Sequence, residues 1–158
     1  GDSALGLLAE RGMLADLDKA LAQKLIGRYR IPEPRIGLGI ALRGRASAAA
    51  DISDGLLADI GHLTELEGLG AEVKMSEIPL SSGARSALAK NGELWQVIVA
   101  GGDDYELVFT GEPDLADTLI DIGVNITAIG KITAEPSVRL IGANGNMMQV
   151  NKEGYCHS

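Results

Sequence analysis

The chain has 158 residues, 46% of them apolar, with a formal net charge of -8 and an isoelectric point near 4.7. Its length and apolar share predict one domain with a sizeable core, and its acidity argues against nucleic acid or an anionic membrane surface as a partner. A single cysteine, Cys156, excludes an internal disulfide, and neither a signal-peptide pattern nor a bilayer-length apolar run is present, so a cytoplasmic setting is expected.

The opening Gly1-Asp2-Ser3 runs directly into Leu5, Leu7 and Leu8 with no initiator methionine or leading strand, so the chain is expected to continue a longer protein. Ser3 is placed to cap a helix reaching about Glu10, and Leu14, Leu17, Leu21, Leu25 and Ile26 continue at helical spacing to about Tyr29. Pro32 and Pro34 break that pattern, and the stretch from Arg35 to Leu42 fits a short helix or a buried connector equally well. The run Ala46 to Ile52 predicts a strand. The turn Ser53-Asp54-Gly55 then leads into a helix carrying Leu56, Leu57, Ile60, Leu63 and Leu66, with Ser53 as its N-cap.

A second strand is predicted over Ala71 to Met75, and a helix over Ser82 to Lys90, entered through Pro79 and stopped near Gly92. Leu94 to Ala100 reads as strand or helix, Tyr105 to Thr110 as a strand, and Pro113 to Ile122 as a helix. Ile126 to Ile132 and Val138 to Ile141 read as strands, and Asn144-Gly145 is a hairpin signal that should fold the last strand back on its predecessor. This mixture predicts an α+β fold, a mixed β-sheet flanked by helices.

Two acidic constellations carry the chemistry. In Asp51-Ile52-Ser53-Asp54-Gly55 the carboxylates stand three positions apart at a strand-to-helix junction, where they can converge on a hard cation while the amides of the helix start receive a phosphate oxygen. The alternative is a capped helix whose acids serve only its dipole. In Gly101-Gly102-Asp103-Asp104-Tyr105-Glu106 the paired glycines permit close backbone approach, and the acids beside a strand need a metal, a donor or a charged substrate. The alternative here is a solvated turn. The two bends are expected to meet around one cavity. His62, with no second histidine at ligand spacing, reads as a surface or packing residue and Trp95 as core, while the opening glycine-containing helix start is compatible with a phosphate. No Walker-type loop, nucleophile elbow or Cys-His pair occurs.

Taken together, Asp51-Ile52-Ser53-Asp54-Gly55-Leu56 and Gly102-Asp103-Asp104-Tyr105-Glu106-Leu107 resemble the thiamine-monophosphate kinase family, with further similarity in Gly1 to Leu7, Pro34-Arg35 and Gly154-Tyr155. The resemblance implies a C-terminal domain of the aminoimidazole ribonucleotide synthetase type, spanning residues 1 to 158, whose N-terminal partner domain supplies the rest of the site. It implies phosphorylation of thiamine monophosphate by ATP with Mg2+, in a homodimeric full-length protein. By matching positions, Asp51 and Asp54 would ligand magnesium, with Asp54 catalytic; Ser53 would contact ATP, and Asp103 and Tyr155 the thiamine substrate. A related ATP-dependent synthetase acting on another phosphorylated small molecule, or a non-catalytic binding module, are the competing expectations.

Overall fold

The computed structural model describes residues 1–148. Helix α1 (Asp2–Glu10) begins at Gly1. Ser3, the cap expected from sequence, is instead fully buried and its hydroxyl donates to the Arg28 carbonyl at 3.4 Å. Helix α2 (Lys19–Arg30) is shorter than the leucine spacing predicts. Leu14 and Leu17 lie in the intervening turns, and Asp18 starts the helix afresh by accepting from the Ala20 and Leu21 amides at 2.9 and 3.1 Å. The two helices pack on each other and bury Leu5 and Leu25 completely. Beyond the prolines, α3 (Ile36–Ala41) is a helix, with Leu38 and Leu42 seated in a small second core against Leu115 and Leu119.

Strand β1 (Ala48–Asp51) is followed by α4 (Leu56–Glu65), whose inner face carries Leu56 and Ile60 into the main core. Next come β2 (Gly70–Lys74) and α5 (Ser82–Lys90), the latter capped by the Ser81 hydroxyl accepting from the Ala84 amide at 3.0 Å. Leu94–Ala100 is helical, α6, with Leu94, Ile98 and Val99 buried and Trp95 packed against the main core. Strand β3 (Leu107–Thr110) starts later than predicted, because Asp103 and Tyr105 take positive φ values of 63° and 50° that no strand accommodates.

The predicted helix after Pro113 is reduced to turns and a 3-10 segment at Asp117–Ile122. Of the strand expected over Ile126 to Ile132, the paired part starts only at Gly130, as β4 (Gly130–Thr133). Strand β5 (Val138–Ile141) turns at Asn144-Gly145 into β6 (Met147–Met148), as the hairpin signal predicts.

The strands form two sheets. β1 and β3 make an antiparallel pair, and β4-β2-β5-β6 make a four-stranded mixed sheet in which only β2 and β5 run parallel. Glu72 on β2 stands opposite both Lys131 on β4 and Arg139 on β5, at 3.0 and 3.1 Å. The Lys131 hydrogen bond, with the charges of both cations, holds the Glu72 carboxyl below its ordinary value against the cost of its desolvation. Among the described residues, no helix is long and apolar enough to cross a membrane.

Candidate functional site

The antiparallel register sets Asp51 opposite Leu107, so the chain leaving β1 and the chain entering β3 run side by side at one end of the ladder. Backbone bonds extend the pairing past the strands. The Ile52 amide donates to the Glu106 carbonyl at 2.8 Å, the Tyr105 amide to the Ile52 carbonyl at 2.9 Å, and the Asp103 amide to the Ser53 carbonyl at 2.9 Å. Two acidic turns separated by about fifty residues of sequence are thereby zipped together. The approach depends on glycine at two points. A methyl on Gly102 would lie 2.0 Å from the Ser53 carbonyl oxygen; one on Gly55, which has φ 126°, would lie 2.6 Å from the Ala100 carbonyl oxygen.

Side chains at this junction divide into an outer and an inner set. Asp51, Asp54 and Asp103 are exposed, and Ser53 is half-buried. Ile52, Asp104 and Glu106 alternate with them and line a cavity of about 1000 Å³ whose walls come from both sheets and α4. None of Asp51, Ser53, Asp54 or Asp103 lines that cavity. The expected meeting of the two bends is therefore found, but their free carboxylates stand on the open surface. Tyr155 lies outside the described residues.

The inner acids are fully engaged. Asp104, 4% exposed, accepts from the Ser3 amide at 3.0 Å and from the Gly1 nitrogen, so the start of α1 that the sequence offered to a phosphate is occupied by the chain's own carboxylate. Glu106 takes a two-pronged hydrogen bond from Arg35, at 2.8 and 2.7 Å, and a third from Arg28 at 2.7 Å. Burial pushes the Glu106 carboxyl up, but the Arg35 hydrogen bond and the charges of Arg35 and Arg28 outweigh it and hold the group below its ordinary value. The same hydrogen bond raises Arg35.

The turn that leads into α4 is held from within the helix. Helix α4 has Gly55 as its N-cap, not Ser53. The carboxylate of Asp59, 5% exposed, reaches back with one oxygen to the amides of Ser53, Asp54 and Gly55 at 3.0, 3.1 and 3.1 Å. The amides of the turn itself are consequently taken, while α4 carries no side-chain cap and the Ser53 hydroxyl does not serve as one. Asp54 stands with Asp59 and His62 in a group whose ligand atoms lie within 4.8 Å of one another; Asp51 is outside that group. His62 is 64% exposed and 4.0 Å from Asp54, in keeping with its reading as a surface residue.

Sequence reasoning gave no role to Asp59 or Arg28, and it named Glu106 only within the second acidic constellation. Asp59 did carry a signal. It occupies the core-facing stripe Leu56, Asp59, Ile60, Leu63, where a carboxylate must find donors.

No family model matches the chain. It is 37% identical to a thiamine-monophosphate kinase of Salmonella typhimurium over 99% of this chain and 49% of that protein. The crystal structure of thiamine-monophosphate kinase from Stenotrophomonas maltophilia K279a superposes with a TM-score of 0.78 at 34% identity, covering 89% of this chain and 46% of that one. A solved structure described as AaThiL complexed with AMPPCP and TMP gives a TM-score of 0.81 at 28% identity, covering 99% and 48%. The chain thus spans about half the length of the curated relatives it matches. The fold, a mixed sheet flanked by helices, is of the aminoimidazole ribonucleotide synthetase-like kind that these structures share.

Proposed function

The chain belongs to the thiamine-monophosphate kinase family, of whose members it spans about half the length, and from that premise we propose that it is the C-terminal domain of a kinase transferring the γ-phosphoryl group of ATP to thiamine monophosphate. The product is thiamine diphosphate. The observation that carries the reading is the backbone coupling of the two acidic turns, which puts Asp51, Ser53, Asp54 and Asp103 at one end of the β1–β3 ladder. A relative whose solved structure is described as complexed with AMPPCP, an ATP analogue, and TMP supports both substrates.

In this reading Asp51 and Asp54 hold Mg2+, Ser53 contacts ATP through its hydroxyl, and Asp103 and Tyr155 contact thiamine monophosphate. The donor set suits the ion. Magnesium keeps several waters and is commonly held by one or two carboxylates together with phosphate oxygens, and Asp51 and Asp54 are exposed carboxylates with room for both. When bound, the ion supplies neutralisation of phosphate charge and alignment of the reacting groups.

The chain's own contribution is positioning. Phosphoryl transfer needs no protein nucleophile, so holding the phosphates and the acceptor in line is the larger part of the task. The amides of Ser53, Asp54 and Gly55 are committed to Asp59, so within this turn the side chains are the groups that meet ligand. The protein's own N-terminal domain completes the site, and the whole enzyme works as a cytoplasmic homodimer. Alone, the domain is inactive.

The test is to assay the complete protein for ATP- and magnesium-dependent conversion of thiamine monophosphate and to repeat it with Asp54→Asn. Loss of an electrostatic stabiliser predicts a rate lower by about 10² or more. Unchanged turnover in Asp54→Asn removes that residue from the reading, and absence of conversion by the unaltered protein removes the reading itself.

A further inference from the structure

We infer that Asp104 is a positioning residue for thiamine monophosphate: by fastening the second acidic turn to the start of α1, its buried carboxylate holds the backbone from which Asp103 reaches the substrate. The inference rests on the kinase reading given above, in which Asp103 makes that contact, and it adds a residue that touches no ligand.

The residues on either side of Asp104 carry the strain of the turn. Asp103 and Tyr105 have φ values of 63° and 50°, a region that residues with side chains keep only where surrounding contacts hold them there. Those contacts come from two directions in the fold. The amides of Asp103 and Tyr105 donate to the Ser53 and Ile52 carbonyls, each at 2.9 Å. Between them the Asp104 side chain bonds to α1 instead, accepting from the Ser3 amide at 3.0 Å and from the Gly1 nitrogen. Arg28 adds a bond to the Asp104 carbonyl at 3.4 Å and one to Glu106 at 2.7 Å.

The start of α1 is a firm anchor. Ser3 is fully buried, so its helix-start amide has no water as an alternative partner. A methyl on Gly1 would lie 2.5 Å from the Ile98 Cα, and one on Gly101 would collide with the Ala4 methyl. The first turn of α1 is therefore packed without slack against the end of α6, which leads into the acidic turn. Joined to the proposed preceding domain, the Gly1 nitrogen is a peptide N–H and remains a donor. The Asp103 carboxylate, in contrast, is exposed, and no hydrogen bond or ion pair among the described residues holds it. Where it can reach is set by its backbone, which Asp104 fastens one position away.

The experiment compares the complete protein with its Asp104→Ala and Asp104→Asn variants. In Asp104→Ala the KM for thiamine monophosphate should rise about tenfold while the KM for ATP stays within about twofold, the split expected when one substrate's contact alone is misplaced. Asp104→Asn keeps an oxygen that can accept from the Ser3 amide but offers none to the Gly1 nitrogen, so its KM for thiamine monophosphate should rise only about threefold. In an Asp103→Ala background, Asp104→Ala should add less than about twofold, because a residue that acts through Asp103 then has nothing to aim. Amide hydrogen exchange at Asp103 and Tyr105 should quicken about tenfold or more in Asp104→Ala and stay unchanged at Val73 in the four-stranded sheet. An unchanged KM for thiamine monophosphate in a destabilised Asp104→Ala, equal rises in both KM values, or effects that add fully to those of Asp103→Ala overturn the inference and leave Asp104 as a helix cap alone. If the unaltered protein fails to phosphorylate thiamine monophosphate, the kinase reading fails, while the exchange rates still decide whether Asp104 holds the turn. Should Asp104→Ala not fold, Asp104→Asn decides: a threefold rise confined to thiamine monophosphate supports the inference, and no rise overturns it.

Discussion

Replacing Glu106 by glutamine tests how firmly the second acidic turn is tied to the helices. Glu106 accepts three hydrogen bonds from two arginines, one from the end of α2 and two from the residue that opens α3. Hydrogen bonds to charged partners contribute roughly 1.5–3 kcal/mol each, which sets a ceiling for the trio. Glu106 nevertheless keeps 37% of its surface exposed, and solvent screening reduces fully exposed ion pairs to about 0.2–1 kcal/mol. A loss of about 2 kcal/mol lies between these limits, or roughly 4–8 °C in melting temperature for a chain of this size. Urea unfolding followed through Trp95, the one tryptophan of the chain, measures it.

The pH dependence has a definite sign. The folded Glu106 carboxyl sits below its ordinary value, so its stabilising contribution is complete above the unfolded glutamate value of about 4.3 and is lost as pH falls through the lower folded value. The gap between wild type and Glu106→Gln should therefore be widest near neutrality and close in acid. A gap under about 0.5 kcal/mol at neutral pH, the range of inert surface changes, or one that persists undiminished in acid, would refute the reasoning.

Gly102→Ala forces a methyl to within 2.0 Å of the Ser53 carbonyl oxygen, and because backbone is the obstacle the two turns must part. The expected loss is about 1–3 kcal/mol, with slowed turnover in the complete enzyme; a variant as stable and as active as the parent would mean that the zipped junction is dispensable. With the start of α1 filled by Asp104, the turn ahead of α4 held by Asp59 and a formal charge of -8, a polyphosphate has little on this face to attract it without a cation. Binding of AMPPCP to the complete protein should weaken by about tenfold or more when magnesium is removed with a chelator, whereas affinity that survives chelation contradicts this account.

Local chemistry made part of this structure legible. The turn at Ser53-Asp54-Gly55, helix α5 behind Ser81 and the Asn144-Gly145 hairpin all follow from residues within a few positions of one another. Prediction failed where a longer-range or competing contact decided the outcome. The leucine spacing runs unbroken through Leu14 and Leu17, yet Asp18 captures the amides of Ala20 and Leu21 and restarts the helix at Lys19. Ser53 has the right chemistry for a cap, but the helix begins two positions later behind Gly55, and the Ser53 amide is held by a carboxylate further along that helix.

The adjacent pair Asp103 and Asp104 shows the limit most clearly. Their side chains are the same, one is exposed and the other 4% exposed, and nothing within the turn chooses between them. The choice is made by the start of α1, about a hundred positions earlier, whose nitrogens hold Asp104 inside. Its neighbour Asp103 takes a positive φ of 63° and is exposed. An acid on an apolar helical stripe, such as Asp59, is a mark of a supported turn that the amino-acid pattern itself carries, because a buried carboxylate must find donors and the amides of the turn ahead of its helix are the nearest ones.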